Sequence, residues 1–158
     1  MKKSTVFLIC ILIVFGFYAL SGIVLSSNFV PEAFETLKLP KGFPSIRGLV
    51  FIWGFLSLLW GISAGFVFSV NIKKRGKRNM AINTLFLIGA IFSWHFLVFI
   101  RCMPLGALAM SIAMLLLALV VLFMYLLVHR NGGYLFLPVV VWLVYTLYLS
   151  ISLFVLNR

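Results

Sequence analysis

The residues best placed to do chemistry in this chain are indoles with a few polar companions. Trp53 and Trp60 are seven apart, so at ~3.6 residues per turn they share a helix face. Asn83 precedes Trp94 by eleven residues, almost three turns, which again places two residues on one face. Trp142, Thr146 and Ser150 are spaced by four and line a third face, with Pro138 above them. Indole faces give stacking and dispersion to flat apolar molecules, and an amide or hydroxyl supplies the few polar points that orient them. Trp53, Trp94 and Trp142 with Asn83, Thr146 and Ser150 have that make-up. The plain alternative is packing, because Ser and Thr bond back to their own helix and an indole can anchor at a membrane interface. Trp142 and Trp53 nevertheless lie deeper in their apolar runs than an interfacial belt requires. An amide in hydrocarbon must find a partner, so Asn83 is expected to face the interior. His95 points away from the Asn83–Trp94 face. Without a second His, Cys or carboxylate on these spans, it reads as a hydrogen-bonded interior residue rather than a metal ligand.

Ordinary catalysis has little to work with. The acidic residues are Glu32 and Glu35 alone. There is no zinc spacing, phosphate-binding glycine loop or nucleophile elbow, and no cofactor is expected. Cys10 and Cys102 fall at opposite depths and cannot pair.

The elements that position these side chains follow from composition. Of 158 residues, 65% are hydrophobic, far more than a soluble domain of this size carries. Five uncharged runs, about 6–25, 48–70, 80–100, 105–128 and 134–156, match the ~20 residues a helix needs to cross a bilayer. Helices satisfy their own backbone in lipid, so the expectation is an all-α bundle of five transmembrane helices forming a single membrane domain over residues 1–158. Lys2 and Lys3 before the first run also describe a signal peptide. The run is too long for that and ends in no clear cleavage site, so it reads as a retained helix.

The net charge of +11 is concentrated rather than spread. Lys73, Lys74, Arg75, Lys77 and Arg78 lie together after the second run. Five crossings put them on one side with Lys2, Lys3 and Arg130, eight cations in all, against five (Lys38, Lys41, Arg47, Arg101, Arg158) on the other. Basic loops stay cytoplasmic. The expected protein is therefore a multi-pass protein of a prokaryotic plasma membrane, N-terminus in the cytoplasm and C-terminus outside. The cluster is expected to set topology and meet anionic lipid headgroups, not nucleic acid.

One connection is long. Residues 26–47 hold Pro31, Pro40, Pro44 and both acids. Pro31–Glu32 can open a short helix, with Phe34 and Leu37 on one face. A long loop with an apolar face usually covers something, and here a lid over the outer mouth of the bundle is expected. The other connections are tight, with Pro104 opening the fourth helix and Asn131-Gly132-Gly133 a turn before the fifth, so that chain neighbours become antiparallel neighbours. Ser57, Gly61 and Gly65 form a small-residue stripe suited to close packing inside the bundle or in a homodimer.

Phe34-x-x-Leu37-x-x-Pro40-x-x-x-Pro44 followed by Trp53, and Pro138-x-x-x-Trp142 followed by Thr146, Leu149-Ser150 and Asn157, resemble the translocator-protein (TspO, tryptophan-rich sensory protein) family in order and spacing over nearly the whole chain. The resemblance implies a five-helix bundle with a pocket closed by the first loop. It also implies binding of porphyrins or related tetrapyrroles, sterols in some members, and light-driven oxidative porphyrin breakdown in some bacterial ones. Carried over, Trp53, Asn83, Trp142, Thr146 and Ser150 line that pocket. The loop's usual tryptophan is Gly42 here, and Phe43 beside it joins the candidate site. Other departures are Ser45 for the second proline, Phe86 for a tryptophan three after Asn83, Val139 for a tyrosine and Thr146 for an alanine. The family's C-terminal sterol motif is absent, and Leu122-x-x-Tyr125-x-x-x-x-Arg130 fits the sterol pattern instead. The function expected is that of a receptor or carrier for a planar hydrophobic ligand, with Lys41 and Arg47 meeting its carboxylates.

A cysteine introduced at Ser27 should be labelled from outside intact cells by a membrane-impermeant reagent, and one at Asn79 should not. The reverse pattern would invert the orientation.

Overall fold

The structure, a computed structural model, describes residues 3–24 and 34–158. Among them run five α-helices: α1 (Lys3–Val24), α2 (Ile46–Ser69), α3 (Lys74–Phe99), α4 (Pro104–Val128) and α5 (Arg130–Leu156). Each is long and apolar enough to cross a bilayer, and the described residues include no strand. The chain is an integral multi-pass membrane protein. Its outer surface is apolar: Phe51 is 79% exposed and Leu127 71%. Lipid is as apolar as the core, which is why an amphipathic stripe does not locate the interior here.

The helices form a ring in the order α1–α2–α5–α4–α3, with α3 only lightly touching α1. Short connections do make α3/α4 and α4/α5 close neighbours. They do not do so for α2 and α3, whose backbones stay apart across the interior. Large rings hold them apart: the buried core contains Trp53 and Trp60 from α2 and Trp94, His95 and Phe99 from α3.

The small-residue stripe on α2 is used inside the chain. A Cβ on Gly61 would stand 2.8 Å from the Ile11 Cα, and one on Gly65 would stand 2.5 Å from the Phe7 ring. Thus α1 lies directly on this face of α2, and the Tyr18 hydroxyl reaches the Val50 carbonyl at 2.7 Å.

Two helix starts differ from the sequence reading. The basic cluster is not a loop: α3 begins at Lys74, so Lys74, Arg75, Lys77 and Arg78 ride on its first turns. Lys and Arg are good helix formers, and no proline interrupts them. Lys77 Nζ donates to the Phe68 carbonyl at 3.1 Å, satisfying the C-terminal end of α2. At the other junction the Asn131-Gly132-Gly133 turn is absent, because α5 starts at Arg130 and only His129 is extended (φ −154°, ψ 103°). The His129 ring caps the helix, its Nδ1 accepting the Gly132 N–H at 3.1 Å. Gly132 serves packing instead of a turn: Ser63 Oγ donates to its carbonyl at 2.6 Å, and a Cβ there would come within 2.9 Å of Val67. Pro104 does open α4, after Cys102 at φ 48° turns the chain out of α3.

Residues 34–45 run as turns and extended chain to Ser45, whose hydroxyl accepts the Gly48 N–H and caps α2. Pro31 and Glu32, the expected start of a short helix, lie outside the described residues.

Gly61→Leu should lower the stability of the bundle by about 1–3 kcal/mol, the scale of overpacking against backbone. Gly89→Leu, which meets nothing within 4 Å, should change it little. Thermal melts by circular dichroism in detergent compare the two. Equal midpoints would contradict the α1–α2 contact.

Candidate functional site

The rings between α2 and α3 continue into a circuit that reaches residues 34–45. Phe34 and Phe43 lie against Phe99 of α3, with ring centroids 5.0 and 6.2 Å apart. Phe99 stacks on His95 at 6.3 Å. His95 meets Trp53 at 5.5 Å, and Trp53 meets Trp142 of α5 at 6.4 Å with the rings perpendicular. Trp142 packs on Tyr145 at 5.4 Å. The Tyr145 hydroxyl donates to the Gly42 carbonyl at 2.8 Å and so returns to the loop. Gly42 has φ 85°, and the Tyr145 hydroxyl stands 3.0 Å from where its Cβ would be, so a side chain there would meet both strain and a clash.

Asn157, just past α5, holds the same loop. Its Oδ1 accepts the Lys38 N–H at 2.9 Å, and its Nδ2 donates to the Lys38 carbonyl at 3.0 Å and to Leu153 at 2.8 Å. Asn157, Tyr145 and Phe34 were not among the expected site residues. The sequence signals were the terminal asparagine of the resemblance, the three-residue step from Trp142 to Tyr145, and the Phe34/Leu37 pair.

Two spaces adjoin the circuit. A cavity of about 40 Å³ lies between α1, α2 and α3, lined by Trp53, Ser57, Trp60 and His95 among others. It has room for a few waters and not for a macrocycle. A groove of about 930 Å³ lies between α2 and α5 on the outer side of the bundle. Its walls include Phe51 and Phe55 from α2, Tyr134, Trp142 and Tyr145 from α5, and Pro44 from the loop. Leu56 borders both spaces.

Four buried ring nitrogens have no hydrogen-bond partner among the described residues: Nε1 of Trp53, Trp60 and Trp142, and Nε2 of His95. The other His95 nitrogen, Nδ1, sits 2.8 Å from the Ile91 carbonyl. As the donor there it leaves Nε2 a bare acceptor. A buried polar group without a partner costs about 1–3 kcal/mol. Water in the small cavity, or a polar atom of a ligand, would relieve that cost.

The expected site residues divide. Trp53, Trp142 and Phe43 belong to the circuit. The rings of Trp53 and Trp142 touch edge to face, however, and a planar molecule between them would need about 3.5 Å on each side of its plane and parallel faces. They do not form an open sandwich. Trp94, Ser150 and Thr146 form a bonded column instead. The Trp94 indole donates to Ser150 Oγ at 2.9 Å, Ser150 to the Thr146 carbonyl at 2.9 Å, and Thr146 to the Trp142 carbonyl at 2.9 Å. This column links α3 to α5 and lines neither space.

Asn83 stands apart from the rest. It is half-buried and donates to the Asn79 carbonyl of its own helix at 2.9 Å. Sharing a face with Trp94 did not bring it to the site, because eleven residues along a helix are about 16 Å of depth. The interior polar contact at that depth is Thr84 with the Tyr125 hydroxyl, 3.0 Å apart. That bond also occupies the tyrosine of the sterol-like pattern, which is fully buried and not offered to lipid.

A sequence model of the TspO/MBR family matches residues 7–156, nearly the whole chain. No curated protein matches it.

Asn157→Ala should free the loop without unfolding α5. Two hydrogen bonds to Lys38 are lost, each worth about 1 kcal/mol, so hydrogen exchange at the Lys38 and Phe43 amides should rise at least tenfold. Unchanged exchange at these amides would show that Asn157 does not hold the loop.

Proposed function

Because the chain belongs to the TspO/MBR family, which carries a ligand-binding or transport role in the membrane, we propose that it is a receptor or carrier for a flat hydrophobic molecule. The ligand class proposed is a porphyrin or related tetrapyrrole, with a sterol-like molecule second, in a prokaryotic plasma membrane with the N-terminus inside. One observation carries this reading: the aromatic groove between α2 and α5 beside Trp142, with the tied loop at its end. Its volume of about 930 Å³ falls in the range of small-molecule sites, and its lining is almost wholly apolar and aromatic. The ligand lies on the Trp142 face in this proposal, not between Trp53 and Trp142. It enters sideways from the bilayer, where a hydrophobic molecule is already dissolved. Exposed Lys41 and Arg47 flank Pro44 in sequence and supply cations for peripheral carboxylates. The loop acts as a lid that shortens or closes this groove.

A second reading is favoured by the contact chain from Trp53 through Trp142 to Tyr145. Such a chain suits one-electron transfer from an illuminated porphyrin, with dioxygen as oxidant and ring-opened tetrapyrrole as product. Product analysis after illumination separates binding from breakdown.

Trp142→Leu should weaken porphyrin binding by about 1–2 kcal/mol, or roughly tenfold, and porphyrin should quench Trp142 fluorescence in the parent. Trp60→Leu, on the small cavity, should change affinity much less. Titration of variants that give a single monodisperse peak in detergent reads both. A folded Trp142→Leu variant that binds as tightly as the parent would remove the groove from the proposed site.

A further inference from the structure

A second opening lies at the other end of the bundle, where α3 only lightly touches α1. It is a groove of about 450 Å³ whose lining includes Val6, Cys10 and Ile13 from α1, Phe68 from α2, and Lys77 and Ala81 from α3. Its α3 wall runs from Lys77 through Ala81 to Leu85, about 12 Å along the helix. The groove is apolar throughout except near its ends: Lys77 at the membrane-surface end, Thr84 deep inside. Lys77 spends one ammonium proton on the Phe68 carbonyl and has two more to donate. Lys74 and Arg78 are exposed, Lys74 three residues before Lys77 and Arg78 three residues before Ala81, so they flank the same mouth. Lys3 is exposed one turn before Val6 on the opposite wall.

An apolar trench open to hydrocarbon, ending under a cluster of cations at headgroup level, matches one amphiphile in both halves. We propose that this groove holds one acyl chain of an anionic phospholipid whose phosphate meets Lys77, flanked by Lys74 and Arg78. The charge complementarity selects an anionic lipid over a zwitterionic one, and the length of the trench takes a chain rather than a compact molecule. Unlike the tetrapyrrole reading, this one concerns the basic end of the bundle and the opposite seam of the ring, so either can fail without the other.

Native mass spectrometry of the full-length protein tests it. The protein is equilibrated in neutral detergent with equal amounts of phosphatidylglycerol and phosphatidylcholine bearing the same acyl chains. One phosphatidylglycerol should be retained in about fivefold preference, the scale of one basic contact at the membrane surface. Lys77→Gln should bring the two lipids to near parity, whereas Lys77→Arg should keep the preference. Ala81→Trp should fill the trench and reduce retention of phosphatidylglycerol severalfold. Since Lys77 also satisfies the end of α2, Ala81→Trp decides the matter if Lys77→Gln does not fold. Parity in the parent protein, or full phosphatidylglycerol retention in Ala81→Trp, would overturn the proposal. So would a dimer that Ala81→Trp dissociates, because the groove would then be filled by a second copy of the chain.

Discussion

The close approach of α1 to the glycine face of α2 governs the arrangement of much of the bundle. Two helices in lipid gain nothing from hiding apolar side chains, since hydrocarbon is already around them. They hold together by contact area and by the few polar bonds they can exchange. Gly61 and Gly65 let the α1 backbone come so near that a single added methyl would strike Ile11 or Phe7. That face of α2 is thereby used up. The indoles of Trp53 and Trp60 must then point into the ring, where they meet His95 and its neighbours.

The interior that results is aromatic and under-bonded. Where polar side chains sit in the bundle, most bond within reach: Ser57, Ser69, Ser111 and Thr146 all return to carbonyls three or four residues back. The Trp94 indole reaches Ser150 across the ring. The three remaining indoles and Nε2 of His95 have no partner among the described residues, and they lie where the spaces are. They border a cavity and a groove beside residues 34–45, which Asn157 and Tyr145 tie down.

Much of the fold was legible because run length is a strong signal: five uncharged stretches of about twenty residues have few other readings. The stripe of Ser57, Gly61 and Gly65 was legible too, though not its partner. Azimuth without depth does not place a side chain. Asn83 shares a face with Trp94 but not a depth, and a sequence gives depth only after helix ends are fixed. Those ends were the weak point, since Lys74 to Arg78 and Asn131 to Gly133 carry loop signals yet sit in helix. A polar or glycine-rich stretch at a membrane surface remains helical when its side chains reach water and its glycines admit a neighbouring helix. The perpendicular Trp53–Trp142 contact was illegible as well, because spacing says which side a ring is on and not how its plane is turned.

The two faces of α2 also explain why the ring has two seams. Toward α1 it presents glycines and closes tightly; toward α5 it presents Phe51 and Phe55, which are too large to interdigitate fully with Val141 and Trp142, so a groove remains. Between α3 and α1 the contact is light, and the wall stays open there as well. The α1–α3 seam includes Lys77 in its wall, whereas the α2–α5 groove has no charged residue in its lining, and Lys41 and Arg47 are exposed three residues either side of Pro44 in sequence. The seams differ in that one is bordered by Trp142, other aromatic rings and a tied loop, and the other largely by aliphatic side chains and the basic first turns of α3.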